Sequence, residues 1–206
     1  MITLDKLNKQ ITHYQEEVSE LYSLLKVLQN PIFLRRFNSD KKDLSELLNN
    51  IKYLLFFLSC FLDILVSSKA LFLIELHWER KYHIKNGMVA IYESITAFNK
   101  QQKKIREYLT RQNSPLIENL TSISIKVRDF KKEIKFDSEL ANFRNKAGAH
   151  YDSNIEIYLS NLESVDKPQS VISIKKFGDI LNEILSLWSE VNDELYEKIK
   201  KSQGNK

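Results

Sequence analysis

Apolar residues recur in steps of three and four along separate stretches of this chain, and each such series predicts an amphipathic helix. The first is Leu4, Leu7, Ile11, Tyr14, Val18, Leu21, Leu25 and Leu28. It should end before Pro31, because proline biases the residue ahead of it away from helical backbone. A stripe this regular either packs inside a domain or, as a seven-residue repeat, forms a coiled-coil arm between subunits over residues 1–30. A later series, Ile84, Met88, Ile91, Ile95, Phe98, Ile105 and Leu109, misses one step, at Gln102. Gly87 falls inside it and marks a place where another helix can come close. Then come Leu116, Leu120, Ile123, Val127, Phe130 and Ile134, opened by Asn113, Ser114 and Pro115. Proline costs little in a first helical turn. The last series, from about Ser173, is Ile174, Phe177, Leu181, Ile184, Trp188, Val191, Leu195 and Ile199, fraying into a polar tail.

Two regions lack that alternation. Residues 44–76 contain LLFFLSCFLDILV, with no polar face over several turns, and a helix apolar all round is expected to be buried at the centre of a bundle or in a dimer interface. Its uninterrupted run stops at Asp63, short of the ~20 apolar residues of a membrane span, so no span is expected. Asn38, Ser39 or Asp40 can cap this helix, and Ser67 and Ser68 offer a place for a kink. Residues 155–162 are ambiguous, and 163–170, with Pro168, read as a loop.

Four glycines and three prolines in 206 residues are too few for the turns of a many-stranded fold. The expected class is therefore all-α, an antiparallel bundle of about five long helices forming one domain over residues 1–206. Cys60 is the single cysteine, which rules out an intrachain disulfide and a cysteine-based zinc site. Set among apolar neighbours, it reads as core rather than nucleophile. The N-terminus starts directly on an amphipathic pattern, so no secretory signal is expected and a cytoplasmic location is. A formal charge of +4 is compatible with nucleic acid without demanding it. Arg35 and Arg36 read as a solvated rim. The basic residues concentrate around two series: Lys100, Lys103, Lys104, Arg106 and Arg111 beside the second, and Lys126, Arg128, Lys131, Lys132 and Lys135 beside the third. Each set is either a solvated face or a wall that meets phosphates.

The densest chemistry lies in residues 136–152, FDSELANFRNKAGAHYD. Asp137 or Ser138 can cap a helix start there, with Leu140, Phe143 and Ala147 as its apolar stripe and Arg144 and Asn145 off it. Arg144 and His150 are six residues apart, about 120° around an unbroken helix, so they share a face only if the backbone turns at Gly148. Glycine there is suited to a bend or a helix C-cap.

Arg144, Asn145, a short spacer and His150 resemble the Arg-polar-spacer-His signature of HEPN domains. These are all-helical modules of bacterial defence and toxin–antitoxin systems, and RNKAGAHYD is most like the abortive-infection members. The resemblance implies metal-independent cleavage of RNA at a site shared across a homodimer, needing no cofactor. It assigns phosphate binding to Arg144, orientation to Asn145 and proton transfer to His150. Lys126, Arg128, Lys131, Lys132 and Lys146 would be the RNA-binding wall, and an antitoxin or other regulatory protein is an expected partner. In members paired with nucleotidyltransferase antitoxins a tyrosine stands two positions after the histidine; here that position is Asp152, which argues against regulation by tyrosine adenylylation.

The rival, from another class, is a non-catalytic helical interaction module in which Arg144 serves the bundle. His77, Glu79 and His83 are close in sequence but suggest no full metal-ligand set. No glycine-rich phosphate loop is present to support an ordinary NTPase.

Overall fold

The computed structural model describes residues 3–30, 41–74, 76–148, 155–165 and 167–204. Among them every regular element is helical and none is a strand, as the all-α expectation required. The α-helices are α1 (Leu4–Leu28), α2 (Lys41–Leu73), α3 (His77–Gln112), α4 (Leu116–Glu133), α5 (Ile155–Val165) and α6 (Pro168–Gly204). Between α4 and α5 the chain winds through two π-helical turns, Phe136–Leu140 and Arg144–Gly148, joined by a single α-turn, Ala141–Phe143.

The core forms where the stripes meet. All eight apolar residues of the α6 series are buried, as are all seven of the α3 series. Along α4, Leu120, Ile123, Val127 and Phe130 are buried; α1 lies on α2, where the Tyr14 and Phe61 rings meet at 4.9 Å, and buries Leu7, Leu25 and Leu28. α2 packs on α1, α3 and α6 at once, which is why it carries apolar side chains on so many faces. Three neighbours do not cover it fully, and Phe56, Val66, Phe72 and Leu73 remain exposed. The helix runs through Ser67 and Ser68, both buried, without a break in its helical assignment. Its apolar span also continues past Asp63: by length and composition the helix over Lys42–Leu73 could cross a membrane, its most apolar 18-residue window having mean hydropathy 1.9.

Specific pairs fix the helix directions. Asp43 meets Lys198 at 2.9 Å, and Phe57 sets its ring edge to face on Trp188 at 5.1 Å, so α2 and α6 are antiparallel. Arg111 reaches back to Glu46 at 3.2 Å, making α3 antiparallel to α2. α3 and α6 therefore run the same way, and they touch where Gly87 faces Ile174. A Cβ at Gly87 would stand 2.6 Å from Ile174 Cδ1; the sequence's glycine permits this approach. α3 ends at Asn113 in the left-handed region (φ 50°), a conformation asparagine tolerates better than most residues. Ser114 then accepts from the Leu116 N–H at 3.2 Å and donates to Glu194 at 2.6 Å, opening α4.

Two boundaries differ from the sequence reading. The ambiguous stretch is the regular helix α5, which continues to Val165, and α6 begins at Pro168, so the expected 163–170 loop shrinks to a short break. Proline at the first helical position explains the early start: it lacks only an N–H that would be unpaired there anyway. The capping residues proposed at 38–40 lie outside the described residues.

Candidate functional site

α4 ends at Glu133, and two residues on Lys135 takes left-handed backbone (φ 49°), from which the chain turns into the first π-helical turn. Neither Asp137 nor Ser138 caps it through a side chain as expected; the Ser138 hydroxyl instead donates to the Lys135 carbonyl at 3.3 Å. What holds the segment is apolar: Phe136, Leu140 and Phe143 are buried. Phe136 stacks on Tyr92 of α3, with ring centroids 5.1 Å apart and planes 10° from parallel. The buried stripe leaves Arg144 facing α3.

There Arg144 is held on two sides. Its Nε donates to Glu93 Oε1 at 2.9 Å, with Nη2 in ion-pair contact with the same oxygen at 2.8 Å, and the guanidinium lies over the Tyr92 ring, 5.6 Å from its centroid. The third nitrogen, Nη1, approaches Asn145 Oδ1 at 3.5 Å. Arg144 and Glu93 each keep about a third of the side-chain surface open to solvent (33% each), so the guanidinium is fixed in place yet reachable. The structure thus brings Arg144 and Asn145 together. His150, the third member of the motif, lies outside the described residues. Gly148 is the last residue of the second π-helical turn, and the residues beyond it that would form the expected bend or C-cap lie outside the described residues. Wide turns of this kind recur at functional sites.

The basic residues named from the sequence are not one uncompensated wall. Lys126 is paired with Glu183 at 2.6 Å on α6, and Arg128 with its neighbour Asp129 at 3.1 Å. Lys131 lies 4.8 Å above the Phe136 ring and 3.6 Å from Asp137. Lys132 is exposed and Lys146 half-buried. Lys131, Phe136, Tyr92 and Arg144 therefore form a continuous stack, cation against ring against ring against cation, running from the flank of α4 to the motif arginine. Sequence reasoning missed Glu93, Tyr92 and Phe136. Glu93 and Tyr92 look there like ordinary members of an amphipathic helix.

Cys60 is buried, and that burial pushes its thiol up to about 11, which keeps it protonated at neutral pH and suits a core residue. Among the described residues no group of three or more His, Cys, Asp and Glu side chains is arranged to hold a metal. Beside the π-helical segment lies a cavity of about 510 Å³ lined by Met88, Lys135, Glu139, Asn142, Asn161 and Ser173, among others; Arg144 is not in its wall.

No family model, curated protein or solved structure matches this chain.

Proposed function

We propose that this chain is a HEPN-like, metal-independent endoribonuclease of a bacterial defence or toxin system, acting as a homodimer. The observation that carries the reading is the fixed, partly exposed Arg144 guanidinium with Asn145 at its free edge. Arginine presents a planar fork matched to phosphate oxygens, and a guanidinium oriented in advance loses less freedom on binding them. A ribose 2′-hydroxyl attacks the adjacent phosphorus while His150 takes its proton. The bond to the 5′-oxygen breaks, and a second imidazole, His150 of another copy, protonates that oxygen. The products are a 2′,3′-cyclic phosphate and a 5′-hydroxyl end. Imidazole titrates near neutrality and can fill both roles. Arg144 balances the charge that builds on the phosphate oxygens, and Asn145 orients the group. The same reading places the chain in the cytoplasm, with RNA, a second copy and an antitoxin or regulatory protein as partners, and without a membrane.

One observation favours the rival. The Arg144–Glu93 pair ties the π-helical segment to α3 and, by itself, gives Arg144 a structural purpose. In that case the chain is a helical interaction module. Incubating the purified protein with total RNA, with and without chelator, separates the two. Cleavage is expected in both conditions, and Arg144→Ala and His150→Ala should each remove it, since loss of an acid–base group costs ~10²–10⁴-fold in rate. Intact RNA with the wild-type protein, or wild-type cleavage by His150→Ala, leaves only the interaction module.

A further inference from the structure

The one gap in the α3 stripe, Gln102, has a structural counterpart. Where α3 and α4 run side by side, the outer seam is polar: Ser124 donates to Gln102 Oε1 at 3.2 Å, and Gln102 Nε2 approaches Asn99 Oδ1 at 3.4 Å. Arg106 Nη1 donates to Thr121 Oγ1 at 3.2 Å. These residues line a groove of about 420 Å³ whose floor is Phe98 and Val127 and whose far end carries Arg128 and Lys131. No carboxylate lines it. Two packed helices need apolar residues at such a seam, and a leucine at 102 would continue the series; the chain places hydroxyls, amides and cations there instead.

The cations are available to a ligand. Arg106 makes no ion pair among the described residues, its one recorded partner being the neutral Thr121 hydroxyl. Arg128 uses only Nε on Asp129, and both of those side chains are more than half exposed (62% and 56%). Lys131 is half-buried, with 24% of its side chain open to solvent, and stands 3.6 Å from Asp137, which is 84% exposed. An exposed pair such as Arg128–Asp129 is worth ~0–1 kcal/mol and exchanges readily for a phosphate. From Thr121 to Lys131 the α4 wall spans ten helical steps, about 15 Å at the helical rise. That length takes several consecutive phosphates of an extended strand rather than a single anion. The recess over a seam between packed helices, whose axes lie ~8–10 Å apart, is narrower than that spacing, so it seats one backbone rather than the full width of a duplex.

We infer that the α3–α4 groove binds the phosphate backbone of a single RNA strand through Arg106, Arg128 and Lys131, with Asn99, Gln102, Thr121 and Ser124 as neutral hydrogen-bonding partners. The inference deepens the ribonuclease reading and rests on it for the choice of RNA. Geometry joins the two sites: Lys131 closes one end of the groove and begins the stack through Phe136 and Tyr92 to Arg144. A strand leaving the groove at Lys131 is thereby led toward the motif.

The test is fluorescence polarisation with a labelled single-stranded RNA octamer and the matching duplex, using protein that carries His150→Ala so that the probe stays intact. Arg106→Gln, Arg128→Gln and Lys131→Gln together should weaken single-strand binding at least ten-fold. They should also flatten the slope of log K against log salt by about 2, since each phosphate contact on a single strand contributes ~0.7. Arg106→Lys with Arg128→Lys should keep most of that slope, and Lys9→Gln on α1 should change nothing. All variants must keep the wild-type helical spectrum. Single-strand binding that the triple variant leaves unaltered, duplex binding tighter than single-strand binding, or no RNA binding at all overturns the groove. Groove-dependent binding by a wild-type protein that never cleaves would leave the groove standing and remove the nuclease. Cleavage whose kcat/KM is unchanged by the triple substitution would do the reverse.

Discussion

The Arg144–Glu93 pair can be taken apart in a double-mutant cycle that reads folding and function separately. One charge-assisted hydrogen bond, from Arg144 Nε at 2.9 Å, and an ion-pair contact from Nη2 at 2.8 Å converge on one carboxylate oxygen. Hydrogen bonds to charged groups contribute about 1.5–3 kcal/mol when well shielded. Here each side chain is one-third exposed, so solvent screening brings the pair toward the 0–1 kcal/mol of surface bridges. The expected coupling is about 1 kcal/mol. Arg144→Ala should cost somewhat more than Glu93→Ala, because it also forfeits the contact with the Tyr92 ring, worth ~0.5–1 kcal/mol at an exposed site. The double variant should be little worse than Arg144→Ala alone. Urea denaturation followed by circular dichroism measures this, and added salt should shrink the coupling. Cleavage should behave differently. Arg144→Ala should abolish it with the fold intact, whereas Glu93→Ala should reduce it about 10–100-fold by releasing the guanidinium from its geometry. Glu93→Gln, which keeps an acceptor, should fall between Glu93→Ala and wild type. Additive stability losses would refute the pairing. A Glu93→Ala protein that cleaves as fast as wild type would refute the orienting role.

Two further outcomes follow from the core. Gly87→Ala should destabilise by up to about 2 kcal/mol: overpacking against Ile174 costs ~1–3 kcal/mol, partly offset by the ~1 kcal/mol helix-propensity gain over glycine. Ile174→Val removes the Cδ1 that stands 2.6 Å from the new Cβ and should recover part of that loss in the double variant; a Gly87→Ala protein more stable than wild type in urea would sink the close approach. Cys60 should react with a thiol reagent at neutral pH only at the rate of global opening. Its folded pKa, about 11 against an ordinary 9.0, also means that the unfolded chain releases this proton first, so its contribution lowers stability as pH rises from about 9 to about 11. Fast labelling of the native protein would contradict its burial.

The buried faces were legible because they repeat. In α3, α4 and α6 the three-and-four spacing names the residues that pack, since a helix buries a stripe and little else decides which side faces in. α2 was harder: its apolar residues surround it, and periodicity does not tell which faces meet neighbours and which, like Phe56 and Val66, stay outside. Helix ends were read less well. The 163–170 stretch looked like a loop because Pro168 and polar residues cluster there, yet proline opens a helix as readily as it ends one.

The candidate site was legible in its residues and not in its geometry. Stepping 100° per residue presumes α-helical backbone, but 136–148 winds mostly in π-helical turns, so the angular reasoning about Arg144 does not carry over. The cause is tertiary. Phe136, Leu140 and Phe143 must all reach the core while Phe136 also stacks on Tyr92, and the wider turn accommodates contacts that local propensity does not encode. The partners that fix Arg144 sit about fifty residues earlier, on a helix whose own stripe explains it without them; Glu93 becomes informative only when α3 is beside Arg144. The Gln102 gap was different. A missed step in an otherwise regular stripe is a local signal, and its cause is a polar seam beside Arg106 and Arg128. If that seam existed only for solubility, charges of both signs would serve equally well, as on most helix surfaces. A lining with three cations and no carboxylate is better explained by a ligand that is itself an extended anion.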